Sequence, residues 1–143
     1  MALVGISNHD NMGGLFRNAA AFGAGAVLLD PSSCDPLYRK AIRVSVGASL
    51  IVPFARLSED ADPIDLLHEA ELEPIALSPA GATPLHLLDP PARAALLLGA
   101  EGPGLSADIL ARSRTVAIPM AGDFDSLNVA TTSGIALHRL VFA

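Results

Sequence analysis

The sequence has little cysteine, few aromatic residues and no long hydrophobic run. Cys34 is its only cysteine, which excludes a disulfide framework and a cysteine-rich metal site. The four histidines are scattered without metal-ligand spacing, so no bound metal is predicted (His9, His68, His86 and His138). No uncharged apolar run reaches about 18 residues and no signal-peptide pattern occurs, so the chain is expected to be cytoplasmic and without a membrane partner.

Charged residues are also scarce, and they are segregated along the chain. They make up 17% of the sequence, with a net charge of -6, which by itself disfavours nucleic acid. Residues 59–73 contain seven acids and no Lys or Arg, whereas 36–58 contain no acid and four basic residues: Arg39, Lys40, Arg43 and Arg56. We interpret this second segment as a basic strip that could contact RNA backbone. The apolar content of 51% further predicts a homodimer that covers part of the surface.

Apolar runs and helical periodicities alternate along the chain, with no internal repeat or linker. The runs predict strands at 2–6, 26–29, 50–54, 74–77, 94–98 and 115–118. The periodic stretches predict helices at 12–22, 35–43, 63–70, 106–111 and 126–140. This alternation predicts one α/β domain over 1–143, in which helices cover both faces of a parallel sheet.

Three loops follow apolar strands and are expected to meet at the carboxyl edge of that sheet. The first loop, 7–17, holds Asn11 at a helix-cap position and Arg17, whose alternative interpretation is a surface ion pair with Asp10. The second is a turn with three glycines around Glu101, and it matches neither GxGxxG nor a P-loop. The third contains Ser-Leu-Asn at 126–128, which opens the last helix and could be a plain cap.

Together, these loops resemble the three motifs of the SpoU/TrmH RNA 2′-O-ribose methyltransferases, in the SPOUT superfamily. The matching residues are Asn8-x-x-Asn11-x-Gly13-x-x-x-Arg17-x-Ala19-x-x-Phe22-Gly23, Leu98-Gly99-x-Glu101-Gly102-x-Gly104-Leu105, Ile118-Pro119-Met120-x-Gly122 and Ser126-Leu127-Asn128-Val129. The motifs occur in order and reach from the first predicted strand to the last predicted helix. Any one of them is weak, whereas three together are specific.

The resemblance implies a C-terminal deep trefoil knot over about 94–143 and an obligate homodimer whose site is completed across the interface. S-adenosylmethionine (AdoMet) would be the cofactor, and tRNA or rRNA, not DNA, the substrate. Cofactor contacts carried over from the family are Gly99, Ile118, Met120 and Leu127. The polar catalytic set is Asn11, Arg17, Glu101, Ser126 and Asn128, and the expected RNA contacts are Arg17, Arg39, Lys40 and Arg43.

The chemistry of methyl transfer limits what Arg17 could do in such an enzyme. Methyl transfer from a sulfonium needs no metal, because the leaving group is neutral and already activated. It needs an in-line approach of a partly deprotonated 2′-oxygen. A guanidinium is a poor base, so Arg17 is expected to grip the adjacent phosphate while that phosphate or water takes the proton.

Three other functions stay open at this point. The chain could be a non-catalytic RNA- or cofactor-binding module with the same knot, or the catalytic part of a longer enzyme that needs a separate RNA-binding domain. A Rossmann-type nucleotide-binding domain is disfavoured by the missing GxGxxG, although Asp30 does end the second strand.

One segment of the last predicted helix departs from the family pattern. Thr131-Thr132-Ser133-Gly134 is more polar than the resemblance leads us to expect.

Overall fold

A seven-stranded sheet forms the centre of the protein in the computed structural model, which describes all 143 residues. Its strands are β1 Ala2–Val4, β2 Val27–Leu29, β3 Phe54–Arg56, β4 Glu73–Leu77, β5 Thr83–Pro84, β6 Ala94–Gly99 and β7 Arg114–Ala117. They lie in the order β3-β2-β1-β6-β4-β7-β5, and every pairing is parallel. The predicted parallel α/β sheet is thus confirmed.

Five α-helices connect the strands. They are α1 His9–Ala21, α2 Arg39–Val44, α3 Pro63–Glu69, α4 Ala107–Ala111 and α5 Val129–Val141, and short 3₁₀ turns occur at Ala48–Leu50 and Leu85–Leu87. None of these helices has the length and apolar character that crossing a membrane requires.

The sheet has an apolar core on each face. Along β6, Leu96 and Leu98 belong to the larger core with α1 and α5, while Ala95 and Leu97 belong to the smaller core with α3 and α4. This alternation follows from the period of two in a strand. It explains why the strand reads as a continuous apolar run, since both of its faces are covered.

Several predicted elements differ from the structure. The first helix begins at His9 rather than at 12, and the short strand β5 was not predicted. The strand expected at 50–54 is wrong, because Gly47 (φ 81°) leads into a 3₁₀ turn at Ala48–Leu50 and the strand begins only at Phe54. The helix expected from 35 begins at Arg39, because the Asp35 side chain instead accepts the Leu37 N–H in a local turn. The last helix begins at Val129 rather than at 126.

The strand order reverses between β1 and β6. The chain builds outward from β1 through β2 to β3, and β6 lies on the other side of β1 beside β4. In parallel sheets such a reversal opens a crevice at the carboxyl ends of the strands, where ligands bind. The loops after β1, β4, β6 and β7 all end at this edge.

Candidate functional site

A cavity of about 670 Å³ opens at the carboxyl ends of β4, β6 and β7. Its walls are Leu77, Ser78, Pro79, Leu98, Gly99, Ala100, Glu101, Gly102, Gly104, Val116, Ile118, Met120, Asp125, Ser126, Leu127, Asn128, Val129 and Thr132. The volume falls within the range of about 300–1,000 Å³ that is usual for small-molecule sites.

All four residues expected to contact the cofactor line this cavity: Gly99, Ile118, Met120 and Leu127. Three of the five expected polar residues line it as well: Glu101, Ser126 and Asn128. Sequence reasoning missed the wall made by Ser78 and Pro79, and it missed Thr132 in α5. Ser78 directly follows β4, so the rule that sites form at strand ends could have indicated it.

Glycine shapes the floor of the cavity at Gly99. A Cβ at this position would lie 2.4 Å from the Gly104 carbonyl carbon and 2.6 Å from the Leu105 nitrogen, both of which are backbone atoms. The loop closes on itself through the Gly104 N–H, which donates to the Ala100 carbonyl at 3.0 Å. Only a residue without a side chain permits this close return of the loop.

A closed set of hydrogen bonds joins three of the predicted polar residues beside the cavity. The Asn128 amide donates to Asn11 Oδ1 at 2.8 Å and to Glu101 Oε1 at 3.3 Å. The Asn11 amide donates to the same Glu101 oxygen at 3.1 Å. Asn11 is 8% exposed, so this network satisfies a buried amide. We call these three residues the polar cluster.

The caps predicted at Asn11 and Ser126 are corrected by the structure, whereas Asn128 does cap the last helix. Asn8, not Asn11, caps α1, because its Oδ1 accepts the N–H groups of Asp10 and Asn11. Asn128 caps α5, where its Oδ1 accepts from Ala130 at 3.0 Å. Ser126 lies outside the helix and is exposed, so it does not cap α5.

The contact between α1 and α5 sets the position of the polar cluster. The Asn18 amide donates to the Ala130 carbonyl at 2.6 Å and to the Ser133 hydroxyl at 2.8 Å, and Ser133 is fully buried. A Cβ on Gly14 would lie 2.6 Å from that of Ala130, so the two helices touch closely here. The polar residues that looked unusual in α5 therefore include the partner of Asn18.

Arg17 is not brought to the cavity of its own chain. It is exposed on α1 and forms no ion pair, and it is absent from the cavity walls. The alternative of an ion pair with Asp10 is wrong, because Asp10 pairs with Lys40 at 2.8 Å.

The predicted basic strip separates into two kinds of residue. Arg39 and Arg43 lie one helical turn apart on α2 and are exposed, with no carboxylate partner. Lys40 is paired with Asp10, and Arg56 donates to the carbonyls of residues 30, 31, 33 and 34. Arg56 therefore holds the loop after β2 rather than facing outward as a free cation.

The charge of the cavity is acidic. Glu101 and Asp125 are the only charged residues among its walls, and no Lys or Arg faces it. Such a cavity disfavours a pyrophosphate and favours a ligand that carries positive charge. It could also accept hydrogen bonds from sugar hydroxyls.

The Asp30 carboxylate is occupied by hydrogen bonds within its own chain. Its carboxylate accepts the backbone N–H groups of Gly5 at 2.9 Å and of Ser33 at 3.0 Å, together with the hydroxyls of Ser32 and Ser33. Burial opposes ionisation, but these hydrogen bonds outweigh it and hold the pKa of Asp30 below its usual value. The acid at the end of β2 is thus committed to loop structure, which removes the main support for a Rossmann-type site.

Known proteins match the chain along nearly its whole length. The model of the SpoU rRNA Methylase family matches residues 1–138. The chain belongs to the SpoU methylase family. An uncharacterised tRNA/rRNA methyltransferase of Mycobacterium tuberculosis is 42% identical over 147 residues, covering 96% of this chain and 49% of the relative. The chain therefore spans about half the length of the curated relatives it matches.

Solved structures agree with this membership. The SpoU methyltransferase AviRb from Streptomyces viridochromogenes, in complex with AdoMet, superposes with a TM-score of 0.89 at 25% identity, covering 98% of this chain and 55% of AviRb. A structure described as an RNA 2′-O ribose methyltransferase gives 0.86 at 29% identity, covering 97% of this chain and 54% of its own. The family prediction is thereby confirmed.

Proposed function

We propose that this chain transfers a methyl group from AdoMet to a ribose 2′-hydroxyl of tRNA or rRNA. The observation that carries the proposal is the acidic, glycine-floored cavity beside the polar cluster, in a member of the SpoU family. A solved relative of this family holds AdoMet, and another is described as a 2′-O ribose methyltransferase.

The cavity walls fit this cofactor in size and chemistry. Gly99 would let the backbone approach it, while Ile118, Met120 and Leu127 would supply apolar contact. Glu101 and Asp125 suit a cationic ligand and disfavour the pyrophosphate of NAD. AdoMet, when bound, supplies a methyl group on a positively charged sulfur.

The polar cluster would hold the reacting edge of the site rigid. Glu101 uses Oε1 for Asn11 and Asn128, which leaves Oε2 free to accept a hydrogen bond from a substrate sugar. Because all three side chains restrain one another, the carboxylate would be fixed before substrate arrives. Ser126, exposed at the cavity wall, would present its hydroxyl to the cofactor or the substrate.

We expect Arg17 to act in a second copy of the chain. It cannot serve the cavity of its own chain directly, yet a phosphate needs a cation and this cavity has none. Large apolar side chains are exposed on and near α5, which supports a homodimer: Leu87, Ile135, Val141 and Phe142. Such a dimer could bring Arg17 of one copy to the cavity of the other.

A trefoil knot over about 94–143 also stays part of the proposal. The loop after β4 passes so close to β7 that a Cβ on Gly81 would lie 2.3 Å from the Val116 carbonyl carbon. On the other side of this segment, Arg139 of α5 donates to the Leu88 carbonyl at 2.6 Å. Residues 78–93 thus contact both β7 and α5, which keeps the C-terminal segment packed against the preceding chain, and an experimental backbone trace would test whether residues 94–143 form the knot.

The first experiment is calorimetric titration of the purified chain with AdoMet, S-adenosylhomocysteine and NAD, with its mass in solution measured alongside. We expect a dimer that binds about one AdoMet per subunit and no NAD. Radiolabelled methyl transfer to bulk tRNA and rRNA then tests the reaction. A 2′-O-methyl product protects the adjacent phosphodiester from alkaline cleavage, whereas a base-methylated product does not.

Mixed dimers test the origin of Arg17. Arg17→Ala and a cavity variant, Gly99→Val, should each be inactive alone. Mixing and re-equilibrating them creates dimers with one intact cavity facing one intact arginine, so activity returns if Arg17 acts across the interface. No recovery in verified mixed dimers would contradict this arrangement. Arg17→Lys should also lose most activity, since lysine lacks the bidentate guanidinium.

The length of the relatives favours a second possibility. The chain matches about half of their length, so a separate segment could supply RNA affinity. AdoMet binding without methyl transfer to any RNA would favour that catalytic-domain or non-catalytic alternative.

A further inference from the structure

The loop after β2 presents an exposed aromatic ring that the proposed chemistry does not use. Tyr38, immediately before α2, packs on His9 with ring centroids 4.5 Å apart and planes inclined by 42°. Despite this contact, 47% of Tyr38 remains exposed. One side of the ring is supported by the protein, and the rest is open to a ligand.

The support behind Tyr38 is built from several independent contacts. Arg56 donates to four carbonyls of the loop, at 2.6 Å for Ser33 and 3.1 Å for Asp30. Asp35 then accepts the Leu37 N–H at 2.8 Å, one residue before the ring. The ring is therefore presented by a chain that is already ordered, which lowers the entropy cost of binding.

The surroundings of this ring match single-stranded RNA. Arg39 and Arg43 follow on α2, spaced about 6 Å along its axis and free of carboxylate partners. His9 begins α1 two residues before Asn11, so the backbone that supports the aromatic pair lies within one helical turn of the polar cluster. Proteins usually hold unpaired bases by stacking them on aromatic side chains while basic side chains contact the phosphates of the RNA backbone.

We infer that Tyr38, supported by His9, is a stacking platform for an unpaired RNA base near the methylated nucleotide. The inference rests on the proposed function, whose RNA substrate it makes more specific: the target lies in a loop or single strand rather than within a duplex. The phosphates that flank the stacked base would meet Arg39 and Arg43.

The test uses a single-stranded oligoribonucleotide carrying 2-aminopurine, whose fluorescence falls when it stacks on an aromatic ring. Wild type and Tyr38→Phe should both quench the probe. Tyr38→Ala should abolish quenching at saturating protein and weaken binding roughly 5- to 100-fold. Leu37→Ala is the matched control, because the Leu37 side chain neighbours Tyr38 and is 45% exposed but is not aromatic. This variant should change the affinity for the probe less than about twofold.

Several results would overturn the platform. Equal loss in Leu37→Ala and Tyr38→Ala would indicate general apolar contact, and a change of mass in solution for Tyr38→Ala would indicate a subunit contact instead. Unchanged quenching in Tyr38→Ala, or no binding of the probe by wild type, would also overturn it. AdoMet titration of each variant keeps the two proposals separate, since loss of the platform should leave cofactor affinity unchanged.

Discussion

The Asn128 side chain, at the N-cap of α5, contacts Asn11, which lies 117 residues earlier in the chain, with its amide donating to Asn11 Oδ1 at 2.8 Å. The oxygen of the same Asn128 side chain caps α5 by accepting from Ala130 and Thr131. One residue thus orders the start of a helix and the polar cluster together. Each role uses a different atom, so substitution can separate them.

Asn128→Ser should separate capping from activity. Serine retains a capping oxygen but lacks the amide that reaches Asn11 and Glu101, whereas alanine lacks both. We expect Asn128→Ala to be less stable than Asn128→Ser by about 1 kcal/mol in urea unfolding. Both should lose methyl transfer to a similar extent. Activity that follows stability across the two variants would reduce Asn128 to a plain cap.

Gly99→Ala should damage the cavity floor. The added Cβ would meet backbone atoms of Gly104 and Leu105, which can move only if the whole loop shifts. We expect the AdoMet affinity measured by calorimetry to fall at least about tenfold, because a shift of this loop would displace the groups that contact the cofactor. Gly25→Ala is the control, because a Cβ there meets nothing within 4 Å. It should retain binding and gain about 0.4–1 kcal/mol of stability.

Sequence reasoning succeeded where a local pattern has one structural outcome. The run AALLL at 94–98 became a strand with both faces buried, and the glycine-rich segment after it became the cavity floor. It failed at 50–54, where an apolar run of the right length is interrupted by the turn that Gly47 starts and by Pro53. Apolar runs that short do not determine a strand by themselves.

The parts of the site that the sequence did not reveal depend on long-range contacts. Ser78 and Thr132 reach the cavity only because β4 and α5 flank it in the folded sheet. The direction of Arg17 depends on which face of α1 packs against α5, and that face is fixed by Gly14 and Asn18. No local spacing encodes these relationships.

Asn18 and Ser133 should behave as a coupled pair. Ser133→Ala removes the acceptor of one Asn18 hydrogen bond and should cost about 0.5–1.5 kcal/mol of unfolding free energy. Asn18→Ala should cost more, about 1–3 kcal/mol, because it removes two hydrogen bonds between α1 and α5, whereas the bond that Ser133 itself donates to the Ala130 carbonyl lies within α5. The double variant should cost less than the sum, which chemical denaturation measures directly. Strict additivity would mean that the two side chains contribute independently.

Arg39 and Arg43 should set the salt dependence of RNA binding. Replacing either one with alanine should reduce the slope of log affinity against log salt by about 0.7 to 1, because one phosphate contact is lost. Filter binding between low and moderate salt measures this slope. Arg93→Ala is the control. Arg93 directly precedes β6, at the amino ends of the strands, and donates to the Ala70 carbonyl at 2.9 Å. An unchanged slope in both α2 variants would place the RNA path elsewhere.

Asp62 should make stability depend on acid pH. Its carboxylate accepts the backbone N–H of Asp65 at 2.9 Å and a hydrogen bond from Arg112 at 2.8 Å, and these contacts, in that order, lower its pKa. Because the folded-state pKa is depressed, the stabilisation is complete above the ordinary aspartate range and is lost as pH falls below about 4. Asp62→Asn retains the capping oxygen of α3 but does not ionise, so its thermal midpoint should change less than that of wild type between pH 5 and pH 3, with the two curves converging at the acid end. Asp60→Asn is the control, because the Asp60 carboxylate accepts no hydrogen bond. Its thermal midpoint should follow that of wild type across the same pH range. Parallel curves for wild type and Asp62→Asn would show that the link between α3 and Arg112 contributes nothing that depends on this carboxylate.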